Sequence, residues 1–283
     1  MYKIAAKKVL NPTVIQMEIE SPLVAKKAEP GQFIILRVDE NGERIPLTVA
    51  GTDKENGLVK IIFQVVGATT EKLKHKEAGE YIHDFVGPLG VATHTDGIKK
   101  VCIVGGGVGC AIAMPVAQKF HALGAEVTSI IGFRSKDLLI LEDEFNSCSS
   151  RLFVMTDDGS YGRHGNVCVP LNEMLGAGEK FDEIITIGPL IMMKFVVEAA
   201  RPYNIPVTAS MNPIMIDGTG MCGGCRLTLD QGGKKVTKFA CVDGPDFNGY
   251  EIDFDEAMSR GRMYSDFERH AYDEACNLFK GVC

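Results

Sequence analysis

The sequence predicts a β plus α/β protein. An antiparallel β-barrel occupies residues 1–98, a Rossmann-like domain with a parallel sheet 99–211, and a small cysteine-bearing module with a helical tail 212–283. Three observations predict this. Short runs rich in β-branched and aromatic residues, separated by turn dipeptides, fill the first third of the chain. From Lys99 onward, short apolar runs alternate with stretches of helical spacing. After Met211 that alternation stops, and glycine and cysteine crowd together as far as Cys225. At roughly 150 residues per domain, 283 residues are enough to bury more than one core.

In the first region 2–10, 13–20, 33–38 and 58–66 read as strands, and Asn11-Pro12, Pro30-Gly31, Asn41-Gly42 and Asn56-Gly57 as the turns between them. Short strands so closely spaced suit a small barrel, which a helical stretch at 70–76 interrupts. In the second region 101–104 is a short buried strand, a glycine cluster follows, and 111–123 has helical apolar spacing despite Pro115. Further strands read at 126–131, 152–156, 183–187 and 207–211, with helices near 167–175 and 192–200. Alternating strands and helices imply crossover connections and therefore parallel pairing. In the third region 226–229 and 236–239 form a hairpin around Gln231-Gly232-Gly233, and 255–279 reads as helical with mixed charge.

Composition excludes some functions. Thirty Lys plus Arg against 37 Asp plus Glu give a net charge of -7, the wrong sign for neutralising nucleic-acid phosphates. No nucleic-acid partner is expected. No run approaches the roughly 18–20 apolar residues of a membrane span, and the opening MYKIAAKKVLNPT lacks the apolar stretch of a signal peptide. A cytoplasmic location is expected. The nine cysteines would stay reduced there, so a close cluster of them points to metal or redox chemistry. None of the six histidines falls in a motif.

Several stretches carry chemistry. Gly105-Gly106-Gly107-Val108-Gly109 lies between a buried strand and a helix, where backbone N–H groups and the helix dipole meet a pyrophosphate. The last glycine of G-x-G-x-x-G falls on Cys110, so a turn tightened for packing is the alternative. In the barrel, Arg44-Ile45-Pro46-Leu47-Thr48 opens a strand and Gly67-Ala68-Thr69-Thr70 follows another. An arginine pairs with a flavin diphosphate and a threonine hydroxyl approaches the ring edge; an ordinary surface arginine is the alternative. After the second Rossmann strand, Arg134 and Lys136 would favour a 2'-phosphate, or face solvent or the ribose pyrophosphate. Asp157 and Asp158, after the next strand, either contact cofactor hydroxyls or cap the following segment. Last, Cys222-x2-Cys225 is followed, after fifteen intervening residues, by Cys241, amid glycines that let backbone wrap closely. Three thiolates suit a metal or an iron-sulfur cluster, and in the plant-type C-x4-C-x2-C register the first ligand falls on Asp217. Zinc held by three thiolates and an oxygen is the alternative, and Cys276 and Cys283 rival Asp217.

The order R-x-P-L-T, G-x-T-T, Gly87-Pro88-Leu89-Gly90, G-G-G-V-G, then Gly188-Pro189 with Met192, resembles the ferredoxin-reductase superfamily of flavoproteins over the first 211 residues. D-G-T-G-M-C-G-G-C-R, K-F-A-C-V-D-G-P-D-F and the late G-R-M-Y narrow the resemblance over essentially the whole chain. It is similar to the small subunits of NADH-dependent reduced ferredoxin:NADP oxidoreductases, which bifurcate electrons. Related to these are the electron-transfer subunits of dihydroorotate dehydrogenase, which usually carry cysteine where this chain has Asp217. The resemblance implies FAD in the barrel, at Arg44, Pro46, Leu47, Thr48, Gly67, Thr69, Thr70 and Gly87. It implies NAD(H), with NADP(H) as alternative, at Gly105, Gly106, Gly107, Gly109, Arg134, Asp157, Asp158, Gly188, Pro189 and Met192. A [2Fe-2S] cluster is implied on Asp217, Cys222, Cys225 and Cys241. It further implies hydride exchange between NAD(H) and FAD, and single-electron exchange between FAD and the cluster. The implied partner is a larger flavin and iron-sulfur subunit, in a heterodimer that reaches ferredoxin and NADP(H) through it. Relatives with Cys-Gly-Pro put a thiol beside the nicotinamide; Ile187 stands at that place, so none is expected. From a different class, a non-enzymatic nucleotide-binding scaffold with a zinc knob remains to be distinguished.

Overall fold

The structure, a computed structural model, describes residues 1–280. The first sheet comprises β1 (Tyr2–Asn11), β2 (Val14–Glu20), β3 (Phe33–Arg37), β4 (Ile45–Asp53), β5 (Leu58–Gln64), β6 (Tyr81–Ile82) and β7 (Asp84–Leu89). Their order is β6-β1-β2-β5-β4-β3-β7, every pairing antiparallel. The two edge strands are separated in sequence by His83 alone, so the sheet curls until its edges nearly meet. Short helices α1 (Pro22–Lys27) and α2 (Ala68–Lys74) join strands. The barrel is filled by Ile4, Met17, Ile34, Leu36, Ile61, Phe63 and Phe85, all without solvent contact or nearly so.

The second sheet contains β8 (Lys100–Gly106), β9 (Glu126–Phe133), β10 (Arg151–Thr156), β11 (Arg163–His164), β12 (Glu183–Ile187) and β13 (Val207–Ser210). Helices α3 (Gly109–Ala122), α4 (Glu142–Cys148), α5 (Cys168–Gly176) and α6 (Leu190–Ala200) make the crossovers. These strands are parallel, and their central members are buried on both faces, which explains the unbroken apolar run Val101–Val104. The chain then forms the hairpin β14 (Arg226–Gln231) and β15 (Lys234–Phe239), helix α7 (Ala240–Asp243), strand β16 (Asp246–Asn248), and helices α8 (Phe254–Arg260) and α9 (Ser265–Lys280). The predicted continuous tail helix is divided after Arg260.

The full order of the second sheet is β11-β10-β9-β8-β12-β13-β16. β16 is antiparallel to β13, so the third region of the chain returns to the α/β sheet after forming its hairpin. One apolar core accordingly runs through all three regions, from Phe33 and Ile35 of the barrel through Val104 and Ile184 to Met215, Leu227 and Phe254. The chain order reverses at β8, whose neighbours are β9 and β12. Such a switch point leaves a crevice beyond the carboxyl ends of the strands. No helix among the described residues is long and apolar enough to cross a membrane.

Candidate functional site

A cavity of about 1320 Å³ lies where the barrel meets that crevice. It exceeds the ~300–1,000 Å³ usual for one small ligand and has room for two long cofactors meeting end to end. From the barrel it is lined by Pro46, Leu47, Thr48, Gly67, Thr69 and Thr70. Antiparallel pairing of Thr48 with Phe33 fixes this wall, and the Thr70 hydroxyl accepts the Val66 and Gly67 N–H groups at 3.0 Å, shaping the entry to α2. The opposite wall is formed by Gly106, Gly107, Gly109, Arg134, Asp157, Gly188, Pro189 and Met192. A Cβ on Gly106 would lie 2.3 Å from the Met192 sulfur, and one on Gly109 would lie 2.5 Å from the Ile187 carbonyl oxygen. These glycines therefore let α6 and β12 close against the turn. The Gly107 N–H is committed to the Gly132 carbonyl at 2.9 Å.

Four of the expected residues stand outside the lining. The Arg44 Nε donates to the Ile216 carbonyl at 2.9 Å, tying the start of β4 to the cysteine loop. Gly87 faces Ile34 and Gly105 lies under Cys110, each where a side chain would collide. The Asp158 carboxylate accepts from the Ser160 hydroxyl and N–H at 2.6 and 2.9 Å, which hold it below the usual carboxylate range. Lys136 extends over the Tyr161 ring, 5.3 Å from its centre, while Arg134 and Asp157 face the cavity. The lining also includes Gln64, Asn166, Ser210, Asn212, Phe267 and Glu268, to which no motif pointed. Ser210 ends β13 and Asn212 lies just beyond it, and that position was their signal. Phe267 and Glu268 reach the cavity through the packing of α9, which leaves no local signature.

The cysteine loop adjoins this cavity. Met215 lines the cavity and belongs to the shared core, and Asp217 follows two residues later. Gly218 is left-handed at φ +78°, and a Cβ there would lie 2.7 and 2.8 Å from Leu89 and Ile35, so the loop is seated directly on the barrel. The four donors form two pairs. Asp217 accepts the Thr219 and Cys222 N–H groups at 2.8 and 2.9 Å, which lower its pKa, and it also meets the Cys222 thiol. Cys225 and Cys241 bring their sulfurs to 3.2 Å. Burial, with the Cys225 thiol beside it, pushes the Cys241 thiol up to about 12.

Two sulfurs packed this closely suit a cation that takes both as thiolates. Among the described residues no three His, Cys, Asp or Glu side chains are gathered to hold one metal ion. Two adjacent pairs suit a two-iron cluster, in which each iron takes two protein ligands, better than a zinc ion needing four donors at once. The donor set fits [2Fe-2S]. Cys276 sits on α9 beside Tyr272, where that helix packs on α2, and Cys283 lies outside the described residues.

A barrel, a switch-point cleft and a cysteine loop sharing one core define a ferredoxin-reductase type of protein with an iron-sulfur domain of its own. Residues 212–253 match the iron-sulfur cluster binding domain of dihydroorotate dehydrogenase B. A Thermotoga maritima homolog of the dihydroorotate dehydrogenase B (NAD(+)) electron transfer subunit is 46% identical over 260 residues, covering 92% of this chain and 90% of the relative. The chain belongs to this family of electron-transfer subunits and their homologues. A solved structure of NADH-dependent reduced ferredoxin-NADP oxidoreductase, described for flavin-based electron bifurcation, superposes with a TM-score of 0.89 at 43% identity, covering 97% of each chain. An Amycolatopsis cytochrome P450 reductase shares the fold, with a TM-score of 0.60 at 20% identity over 72% of this chain and 66% of its own.

Proposed function

We propose that this chain is the electron-transfer subunit of a flavin and iron-sulfur oxidoreductase. It exchanges hydride between NAD(H) and FAD in the cleft, and single electrons between FAD and a [2Fe-2S] cluster on the cysteine loop. A larger subunit completes a heterodimer and supplies access to ferredoxin and NADP(H). The observation that carries this is the adjacency of a two-cofactor cleft and a two-pair donor loop, joined through Met215. Bound FAD supplies the conversion between the paired electrons of a nicotinamide and the single electrons of a cluster. Leu47 and Thr48 would form the wall for the flavin ring, and Gly188, Pro189 and Met192 the wall for the nicotinamide. The apolar surfaces of Leu47, Pro189 and Met192 keep water from the exchange. Asp157 accepts from a ribose hydroxyl, which favours NAD(H), while Arg134 is left as the cation for NADP(H). Asp217, Cys222, Cys225 and Cys241 hold the cluster.

Family membership sets aside the non-enzymatic zinc scaffold. The cytoplasm is the proposed location, where the eight described cysteines, all free thiols, would stay reduced. The test is anaerobic isolation with assays of flavin, iron and zinc, then stopped-flow reduction by NADH. Colourless protein containing zinc, or flavin that NADH fails to reduce, would sink the proposal. A second reading, the electron-transfer subunit of a dihydroorotate dehydrogenase, is favoured by the domain matched at 212–253. The co-purified partner decides between them, by oxidising dihydroorotate or by coupling ferredoxin to NADP(H).

A further inference from the structure

Helix α9 follows α8 and packs along α2 of the barrel. Ala275 is buried there, and Tyr272 is hydrogen-bonded to the Cys276 side chain near the Glu71 carboxylate. This helix lies beyond residue 253, where the matched iron-sulfur domain ends. Its first turns present Phe267, Glu268 and Ala271 to the large cavity, which Glu43 and Thr69 also line. The Thr69 hydroxyl donates to the Glu43 carboxylate at 2.8 Å. Phe267 is 67% exposed, an aromatic ring beside a cleft with one face uncovered.

The chemistry at this helix selects one part of a dinucleotide. Among the described residues, Arg134 is the one Lys or Arg side chain lining the cavity, and it follows β9 of the other domain. On the α2 and α9 side of the cavity the charged lining groups are the carboxylates of Glu43 and Glu268, which repel phosphate but accept hydrogen bonds from ribose hydroxyls. A phenyl face offers stacking to a purine and nothing to a phosphate. We propose that α9 is a clasp for the adenosine end of FAD, with Phe267 stacking on the adenine and Glu268 accepting from the ribose. This rests on FAD being the flavin of the cleft, as proposed above.

The test compares two flavins on the flavin-stripped full chain with its cluster retained, because FMN has the same ring, ribityl chain and first phosphate but no adenosine. Calorimetric titration should show Phe267→Ala weakening FAD roughly tenfold, as expected for loss of a base-aromatic stack. FMN affinity should stay unchanged, and Phe267→Tyr should keep FAD affinity near that of the parent. Unaltered cluster absorption checks that each variant is folded. Equal weakening of FAD and FMN would mean that α9 merely props the barrel, and unchanged FAD affinity would mean that the ring makes no contact; either overturns the proposal. Failure of the parent chain to bind either flavin is a different result, which overturns the flavin assignment and takes the clasp with it.

Discussion

Arg44 joins two sites that are 172 residues apart in sequence. Its motif points to a flavin, whereas its Nε holds the carbonyl immediately before Asp217. Arg44→Ala should cost about 1–2 kcal/mol, through one lost charge-assisted hydrogen bond, and should also shift the potential of the cluster. Urea denaturation and a redox titration check both, and an unchanged potential would separate Arg44 from the loop. Asp246 gives a pH-dependent case. Its Oδ2 accepts from the Thr93 hydroxyl at 2.6 Å, and its buried Oδ1 has no hydrogen-bond partner among the described residues. Burial raises its pKa, partly opposed by the neighbouring Ser210 and Thr93 hydroxyls. Because the folded state holds the proton more tightly, stability falls as pH rises from the unfolded carboxylate value through the raised one. Asp246→Asn should therefore raise the melting temperature at pH 8, with a smaller gain at pH 5. An equal gain at both would place the effect in packing. The Cys222, Cys225 and Asp217 spacing was legible because the donors share one local loop; the partners of Arg44 and Asp246 were not, because tertiary contact alone supplies them.

Elements with strong periodicity were legible. Strand β12 has the bounds its apolar run predicts, and the hairpin turn falls at the paired glycines. β7 was missed because Gly87, Pro88 and Gly90 read as turn residues, although the strand continues through Leu89. α1 was missed because Pro22 after Ser21 reads as a break, yet proline sits without cost in a first helical turn. The glycine turn into α3 was recognised as a cofactor motif, and its packing demands are now explicit. Gly109→Ala would press a methyl group against the Ile187 carbonyl. A loss of about 1–3 kcal/mol is expected for such overpacking, read as an earlier urea midpoint with weaker NADH binding. Retention of both would mean that β12 yields at this point.

For the whole molecule, composition and alternation suggest three regions, but not their interdependence. β16 contributes an edge to the α/β sheet, and Met215, Leu227 and Phe254 complete a core that begins in the barrel. A chain ending at residue 211 would lack all of these. It should be markedly less stable than the full chain in urea and prone to associate through the exposed β13 edge. A soluble monomer of equal stability would show that the first two regions are self-sufficient. The two side chains proposed to choose the nucleotide also come from separate strands, Arg134 after β9 and Asp157 after β10. Arg134→Ala should reduce NADPH turnover more than NADH turnover, measured as the ratio of flavin reduction rates. An unchanged ratio would remove Arg134 from cofactor discrimination.

The return of β16 to β13 also sets an order of events during synthesis. On the ribosome, β13 is complete while the cysteine loop and hairpin have still to emerge, and its outer edge stays open until residues 246–248 arrive. Closure of the sheet is therefore a late step, after the cysteine loop has emerged. A nascent chain stalled before it carries an unpaired strand beside reactive thiols, and it is there that a chaperone would have most to protect.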